Sequence, residues 1–580
     1  MNGALLLLLG CAAFAVAYFF YSAFIAKGLG VDPNRPTPAH TLGDGVDYVP
    51  AHPLVLYGHH FAAIAGAGPI VGPVLAAEFG WVAVTLWIVL GCIFVGSMHD
   101  MVTLFLSVRH DGRSIGSVIE DVMGRPGKML FLMFCFATLV LVMSVFTGQV
   151  ADSFVSNPEV ATSSLLSIFE AAIFGVCVYR LGWSVKWASL VFVPVLFLLV
   201  WLGVIFPCDL TQLFGVSAAT ARTIWVVVLF VYCFVASTLP VWLLLQPRDY
   251  LNSYLLFAML AIGLAAVLWV HPTIQINAFS GFSLPSAGGG SKYLFPLLFV
   301  TVACGACSGF HALVASGTTS KQLDNERHIR PIGYGGMLLE GVVALLALLA
   351  VACGTQADLE HGLATMPPVK LFAHGLAAFC AQMGLPEKAA ESFMLLAVAA
   401  FLMTSVDACT RLARFVWQEM WSTTSAAAPA AGAPAPQPSL VVRLNRNMYV
   451  ATTIVVLIGI YLLVFNPAMS ANLWTMFASA NQMLASLTLL TASLWLFKKH
   501  LRWWIAFLPM CFMIVTSGTA VFQLFLDSVA KWMKEGFAAG GVTALGAATL
   551  FVLAVVLLVL GALKLRKIIR TAVLVKVAKS

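Results

Sequence analysis

Charged residues are scarce in this chain. Its 580 residues are 61% hydrophobic and only 9% charged, against about 25% charged residues in soluble domains. A soluble core cannot use that much apolar surface, so the sequence predicts a polytopic membrane protein in a lipid bilayer. The 31 Lys and Arg residues fall mainly in short segments between apolar stretches, which gives no indication of a nucleic-acid partner.

Motifs of ATPases and redox or metal enzymes are also missing. The sequence contains no G-x-x-x-x-G-K-[ST] loop, so ATP is not the expected energy source. Cys304 and Cys307 have C-x-x-C spacing, but neither a βαβ pattern nor a second cysteine pair accompanies them. The apolar stretch 3–25 lacks the basic n-region of a signal peptide and is predicted to be a membrane span. We therefore predict no catalytic residue, no cofactor and no metal.

Fifteen stretches are long and apolar enough to be membrane spans. They are 3–25, 54–77, 80–108, 128–152, 163–179, 185–206, 223–245, 249–270, 293–318, 333–354, 391–417, 448–466, 472–497, 503–526 and 542–563. An odd number places the termini on opposite sides of the membrane, and the distribution of Lys and Arg predicts a periplasmic N-terminus and a cytoplasmic C-terminus. In this count Arg248 belongs to a cytoplasmic loop.

The most unusual stretch reads GAGPIVGP, from Gly66 to Pro73, inside span 54–77. Proline lacks an N–H and displaces the carbonyl four residues earlier, so Pro69 frees the carbonyl of Ala65. Lipid cannot satisfy that carbonyl, so such breaks occur where the backbone packs on protein or lines a cavity. The stretch predicts a broken helix of the kind found in transporters. The alternative is a tightly packed, kinked structural helix.

A second irregular stretch, Gly305–His311, lies inside span 293–318. Its small residues permit local unwinding, although ordinary helix packing explains them equally well. Each irregular span is followed by a long apolar span, and the two irregular spans are predicted to run in opposite directions. Opposite direction is what an inverted repeat requires.

Ionisable and hydroxyl side chains at membrane depth are costly and indicate function by default. Those in the predicted spans include His59, His60, His99, Asp100, His311, Glu340, Thr404, Ser405 and Asp407. Successive residues of a helix point about 100° apart, so His99 and Asp100 are not expected to pair with each other. A metal site built from His59, His60, His99 and Asp100 is conceivable, but no tight ligand spacing supports it.

Several motifs together resemble the carbon starvation protein A (CstA) family. The most specific is GHHFAAIAGAGPIVGP, from Gly58 to Pro73, and it is followed by Met98-His99-Asp100 and Arg113-Ser114-Ile115-Gly116. Asp32-Pro33 and the segment Ser405–Phe415 match as well. The resemblance covers most of the chain.

This resemblance implies an all-α polytopic membrane protein of about 15 transmembrane helices. Its LeuT-like core would have inverted repeats and two broken helices, 54–77 and 293–318, with 391–417 as the eighth helix of the core. Six predicted spans, and not the four of that pattern, separate the broken ones. The predicted domains are a first helix and cytoplasmic connector (1–53), a transport core (54–421), an Ala/Pro-rich cytoplasmic linker (422–440) and a four-helix membrane region (441–580).

The implied function is secondary active import of short peptides or pyruvate across the bacterial inner membrane during carbon starvation. The substrate would lie between the breaks, where half-helix N-termini near Gly68 and Ser308 would bind its carboxylate without an intramembrane arginine. The predicted substrate-binding residues are Gly66, Ala67, Gly68, Pro69, Cys307, Ser308, Gly309 and His311. A membrane sensor that does not transport and a metal-dependent membrane enzyme are the alternatives.

Two coupling ions are compatible with the sequence. Thr404 and Ser405 match the eighth-helix position that holds sodium in LeuT-like transporters, and this resemblance implies that they would offer oxygen ligands to sodium together with the freed Ala65 carbonyl. Histidines titrate near neutral pH and would carry a proton, and the resemblance to family members associated with pyruvate uptake favours the proton. The predicted ion-coupling residues are Ala65, His59, His60, His99, Asp100, Thr404, Ser405 and Asp407.

Overall fold

The computed structural model describes residues 1–44, 48–240, 242–286, 290–421, 439–465 and 467–577. Within these ranges, 13 uninterrupted helices are long and apolar enough to cross a membrane. Two further spans consist of shorter helices, and we call them the first and the second broken span. The uninterrupted helices, α1 to α13 in chain order, are Gly3–Leu29, Trp81–Arg109, Arg125–Ser156, Pro158–Tyr179, Val185–Ile205, Ala218–Thr238, Leu245–Val270, Glu326–Ala352, Glu387–Met420, Met448–Phe465, Asn472–Lys498, Trp504–Glu535 and Ala539–Lys567.

The first broken span consists of the helices Pro53–Ile64 and Gly68–Phe79, which are bent by 46° relative to each other. The first half ends at Ile64, and the next residue, Ala65, has a non-helical φ of −73° and ψ of 66°. Pro69 lies in the first turn of the second half, where its missing N–H removes no helical hydrogen bond. The predicted break in this span is therefore confirmed.

The second broken span is also interrupted at its centre. Its helical pieces are Leu294–Thr301, Ala303–Ala306, Phe310–Val314, Ala315–Thr319 and Ser320–Gln322. Cys307 is extended, with φ −164° and ψ 132°, whereas the chain from Phe310 to Gln322 is one continuous helical run. An antiparallel pair of strands, Ser283–Ser286 and Gly290–Tyr293, precedes this span and was not predicted from the sequence.

The two breaks pack directly against each other. A Cβ atom on Gly68 would lie 2.2 Å from the Cβ atom of Cys304, and one on Gly72 would lie 2.5 Å from the carbonyl oxygen of Thr301. Real side chains do not tolerate such distances, so only glycine allows this approach of the two backbones. The small residues that suggested unwinding therefore also hold the two broken spans together.

The connector between α1 and the first broken span crosses the end of the second broken span. The Asp32 N–H donates to the buried Glu326 carboxylate at 2.9 Å, and Ala51 pairs with Leu323 in a parallel bridge. A short helix, Pro38–Thr41, lies within the connector. The other helices outside the spans are Ile115–Met123, Leu210–Phe214, Gln356–Thr365, Pro368–Gln382 and Leu440–Arg446.

The predicted spans correspond to the observed helices throughout the described ranges. By length and composition, 13 helices and the first broken span qualify as membrane spans, and the fifteenth prediction coincides with the pieces of the second broken span. Helices α2 to α7 separate the two broken spans, so the six intervening helices are confirmed. The predicted linker, 422–440, lies almost wholly outside the described residues, and the domain boundaries stay a prediction.

Two glycines of the first broken span allow a test of this packing. We expect Gly72→Ala to destabilise the protein by about 1–3 kcal/mol, because its methyl group overlaps the Thr301 carbonyl. Gly58→Ala is the matched control, because a Cβ atom there meets nothing within 4 Å and alanine favours a helix by about 1 kcal/mol. Thermal unfolding in detergent measures both variants, and equal melting temperatures would contradict the proposed contact.

Candidate functional site

Four ionisable side chains from α2, α8 and the second broken span meet beside the second break. His311 Nδ1 lies 2.7 Å from Asp100 Oδ2, and His311 Nε2 lies 3.3 Å from Glu340 Oε2. His99 Nδ1 lies 2.8 Å from Asp100 Oδ1. All four side chains have no solvent exposure. We call them the histidine–carboxylate cluster.

Close packing of α2 on the second broken span positions this cluster. A Cβ atom on Gly96 would lie 2.3 Å from the carbonyl oxygen of Ala306, and one on Gly91 would lie 2.7 Å from the Ala306 side chain. The glycines thus bring α2 against the break itself. Asp100 lies one turn beyond Gly96, and His311 lies in the first turn of the helix that restarts after the break.

The prediction that His99 and Asp100 do not pair is wrong. The angle of about 100° between neighbours describes their Cα–Cβ directions, whereas rotation about the side-chain bonds brings His99 Nδ1 to Asp100 Oδ1. The second oxygen of Asp100 remains available to His311. One carboxylate therefore holds two histidines.

His59 and His60 lie in the first broken span and point to different partners. His60 Nδ1 lies 2.9 Å from Thr319 Oγ1, whereas His59 Nδ1 lies 3.7 Å from Asp249 Oδ2. The four residues considered for a metal therefore do not converge. Across the described ranges, no group of three or more His, Cys, Asp or Glu side chains has an arrangement that could hold a metal ion.

A second set of charged groups joins α6, α7 and α9, and we call Tyr232, Arg248, Asp249 and Asp407 the arginine cluster. Arg248 Nη1 donates to both Asp407 Oδ2 and the Tyr232 hydroxyl, and the Tyr232 hydroxyl donates to Asp407 Oδ2 at 2.6 Å. Arg248 Nη2 lies 3.7 Å from Asp249 Oδ1. Arg248 is 1% exposed.

The prediction that Arg248 belongs to a loop between two spans is therefore wrong. Helix α7 begins at Leu245, so Arg248 lies in its first turn and not in the loop where hydropathy placed it. The sequence Arg248-Asp249 contained a signal, because two opposite charges at the edge of an apolar span can be buried as a pair. Asp407 also borders a small cavity of about 10 Å³ between α3, α6 and α9.

Thr404 and Ser405, predicted as sodium ligands, face different neighbours. Thr404 Oγ1 donates to the Ala400 carbonyl at 3.0 Å and accepts from Asn252 Nδ2 at 3.2 Å. Ser405 Oγ is buried without a hydrogen-bond partner among the described residues. It lies 3.1 Å from the position of a Cβ atom on Gly66. The structure therefore brings Ser405, but not Thr404, to the first break.

Asn481 of α11 lies inside the second break, and sequence reasoning missed it. Its Oδ1 atom accepts from the Phe310 N–H at 2.8 Å, and its backbone carbonyl accepts from the Gly309 N–H at 3.1 Å. Its Nδ2 atom donates to Ser308 Oγ at 3.0 Å. The half-helix N-terminus predicted to face a substrate carboxylate therefore binds a protein amide in this conformation. No proline or glycine marks Asn481, so the sequence carried no comparable signal for it.

The predicted substrate-binding residues line both breaks, and the structure packs them tightly. Gly68 lies against Cys304, and a Cβ atom on Gly305 would lie 3.6 Å from the Cα atom of Pro69. Cys307 and Ser308 have no solvent exposure. The site is closed in this conformation, and its substrate role stays a prediction.

Comparisons with known proteins agree with the resemblance seen in the sequence. The family of the carbon starvation protein CstA matches residues 2–365 and 355–520. The chain is 34% identical to the peptide transporter CstA of Escherichia coli (strain K12), over 89% of this chain and 80% of the relative. It is 38% identical to the pyruvate/proton symporter BtsT of the same organism, but that match covers 58% of this chain and 47% of the relative.

One solved structure supports the fold. A crystal structure of a manganese transporter from Eremococcus coleocola, in complex with an aromatic bis-isothiourea substituted compound, matches with a TM-score of 0.50. It is 12% identical in sequence and covers 91% of this chain and 99% of that chain. At this identity the likeness concerns the fold alone, and it confirms the predicted LeuT-like architecture.

The burial of Arg248 predicts a large energetic role. Arg248→Met leaves Asp407 with an uncompensated buried charge, and we expect it to destabilise the protein by about 3–5 kcal/mol. Arg222→Met is the matched control, because the Arg222–Asp152 pair has exposures of 31% and 36% and such pairs contribute about 0–1 kcal/mol. Chemical or thermal unfolding in detergent compares the two variants. Equal losses would show that Arg248 and Asp407 are not a buried pair.

Proposed function

Because the chain belongs to the carbon starvation protein CstA family, we propose that it imports short peptides or pyruvate across the bacterial inner membrane, driven by protons, during carbon starvation. The chain is a multi-pass membrane transporter and not an enzyme. The observation that supports proton coupling is the fully buried histidine–carboxylate cluster next to the second break. Relatives named for peptide and for pyruvate transport support the substrate class.

Peptides and pyruvate share a carboxylate, and the second break offers a site for it. The helical run from Phe310 to Gln322 begins with N–H groups that Asn481 now occupies. A carboxylate binds more strongly than an amide oxygen at the N-terminus of a helix, because it carries a full negative charge. We place the substrate carboxylate at Ser308, Gly309 and Phe310, in exchange for the side chain of Asn481.

A proton suits the buried groups better than sodium does. Sodium would need oxygen ligands near Thr404, but Thr404 already bonds to Ala400 and Asn252. One turn away on α9, Asp407 is neutralised by the guanidinium of Arg248. The Asp407 carboxylate is therefore engaged by Arg248 and is not a free oxygen ligand for a sodium ion. The histidine–carboxylate cluster, in contrast, contains groups that gain and lose protons near neutral pH.

The proposed orientation has a periplasmic N-terminus and a cytoplasmic C-terminus, because most basic residues then lie in cytoplasmic segments. In that orientation the connector covers the cytoplasmic end of the second broken span. Its contacts include Asp32 with Glu326, which also pairs with Arg109 of α2 at 2.9 Å. In the proposed orientation, these contacts lie on the cytoplasmic side.

Transport by the purified protein in liposomes tests the proposal. We expect an inward proton gradient to drive accumulation of radiolabelled pyruvate or dipeptide without sodium, with weaker uptake as the external pH rises. Empty liposomes and liposomes with a dissipated proton gradient are the controls. Strict dependence on sodium would contradict proton coupling, and specific binding without uptake would instead indicate a membrane sensor.

Replacing Asn481 with aspartate tests the carboxylate site. Asn481→Asp places a permanent carboxylate at the Phe310 N–H without a change in side-chain size, so we expect it to compete with substrate and raise the KM for uptake at least about tenfold. Asn472→Asp, on the same helix, is the matched control. An unchanged KM in Asn481→Asp would place the substrate carboxylate elsewhere.

A further inference from the structure

The two carboxylates of the histidine–carboxylate cluster have different surroundings. Both oxygens of Asp100 bind histidine nitrogens, at 2.8 Å and 2.7 Å. Neither oxygen of Glu340 has a hydrogen-bond partner among the described residues, and His311 Nε2 approaches it at 3.3 Å without the alignment of a hydrogen bond. In the described part of the chain, Glu340 has no hydrogen bond, and the one cation within ion-pair distance of it, His311, is already paired with Asp100 at 2.7 Å, so burial disfavours the charged form of Glu340. Glu340 therefore holds a proton in this conformation, whereas Asp100 is ionised.

The balance of charge leads to the same assignment. His311 differs from the other histidines because both of its ring nitrogens face carboxylates, Asp100 at 2.7 Å and Glu340 at 3.3 Å, so it carries two protons and forms an ion pair with Asp100 that has no net charge. His99 Nε2 is buried and has no acceptor among the described residues, so a second proton on His99 would leave a buried N–H unsatisfied. With His99 neutral, the cluster is neutral if Glu340 is protonated and carries one negative charge if Glu340 is ionised.

Among the residues that the structure describes, no other group that interacts with Glu340 supplies a compensating positive charge. The titratable groups that interact electrostatically with it are His311, Asp100 and three thiols, which are Cys92, Cys304 and Cys307. Buried thiols in apolar surroundings stay uncharged. From the first broken span, His60 lies against Gly336, one turn before Glu340. Its Nε2 atom is buried without a partner, so His60 is neutral for the same reason as His99.

We propose that Glu340 is the residue that carries the transported proton, with His311 and Asp100 as the fixed ion pair beside it. This inference rests on the proton coupling proposed above and names the residue responsible. The proton binds the Glu340 carboxylate from the periplasmic side and neutralises the cluster, which permits the closed conformation. Movement of the helix that bears His311 then admits water from the cytoplasmic side, where the carboxyl group releases its proton and becomes ionised.

The test separates coupling from substrate movement. Glu340→Gln keeps the size of the side chain and mimics its protonated form, so the variant can close but cannot exchange a proton. We expect it to lose proton-driven accumulation of pyruvate while it retains counterflow, the exchange of labelled external pyruvate against unlabelled pyruvate inside the liposome. Glu170→Gln is the matched control, because Glu170 on α4 is another buried carboxyl group without a hydrogen-bond partner in the described ranges.

The outcomes distinguish this inference from the function on which it rests. Proton-driven accumulation by Glu340→Gln at the wild-type level would overturn the role of Glu340 and leave the symporter intact. Absence of proton-driven uptake in the wild type would overturn the proposed function itself. If Glu340→Gln loses counterflow as well, the pH dependence of uptake by Glu340→Asp decides whether Glu340 carries the proton. A shift in the pH dependence of its uptake, absent from Glu170→Asp, supports the proposal, and an unchanged pH profile overturns it.

Discussion

A helix that breaks inside a membrane exposes backbone groups that lipid cannot satisfy. In this protein the two broken spans meet each other, and the surrounding helices are arranged around that contact. Gly68 and Gly72 let the first broken span touch the backbone of the second. Asn481 of α11 then satisfies the N–H groups that restart the second helix. The contact between the two broken spans therefore explains why the glycines and the side-chain amide of Asn481 determine the geometry of the site.

Charge at membrane depth is compensated in two different ways around these breaks. In the arginine cluster, Arg248 neutralises Asp407, and its guanidinium is a permanent cation at any physiological pH. In the histidine–carboxylate cluster, compensation depends on where protons are bound. The first cluster joins the helices α6, α7 and α9 into a stable unit. The second links α2, α8 and the second broken span, and in the proposed mechanism its contacts change when a proton moves.

Much of the fold could be predicted from the sequence, because membrane spans and prolines leave strong local signals. The break at Ala65–Ala67 followed from Pro69, and the six helices between the broken spans followed from hydropathy. The partners within the site could not be predicted in the same way. Arg248 looked like a loop residue because hydropathy averages over a window and takes no account of a buried ion pair, and Asn481 acquires its role only when α11 packs into the break. His99 was expected not to pair with Asp100 because backbone direction was considered without side-chain rotation.

The helical run from Phe310 to Gln322 connects the two proposed sites physically. Its first N–H groups form the proposed carboxylate site, His311 in its first turn bonds to Asp100, and Thr319 near its end bonds to His60 of the first broken span. If the run moves as one body, the proposed displacement of Asn481 at its beginning would change the position of His311 relative to Glu340. Substrate binding and proton binding then act on the same element. Coupling between the two sites then needs no additional chain of contacts. A ligand can shift a conformational equilibrium only through contacts that differ between the two states, and both proposed sites contact this helical run.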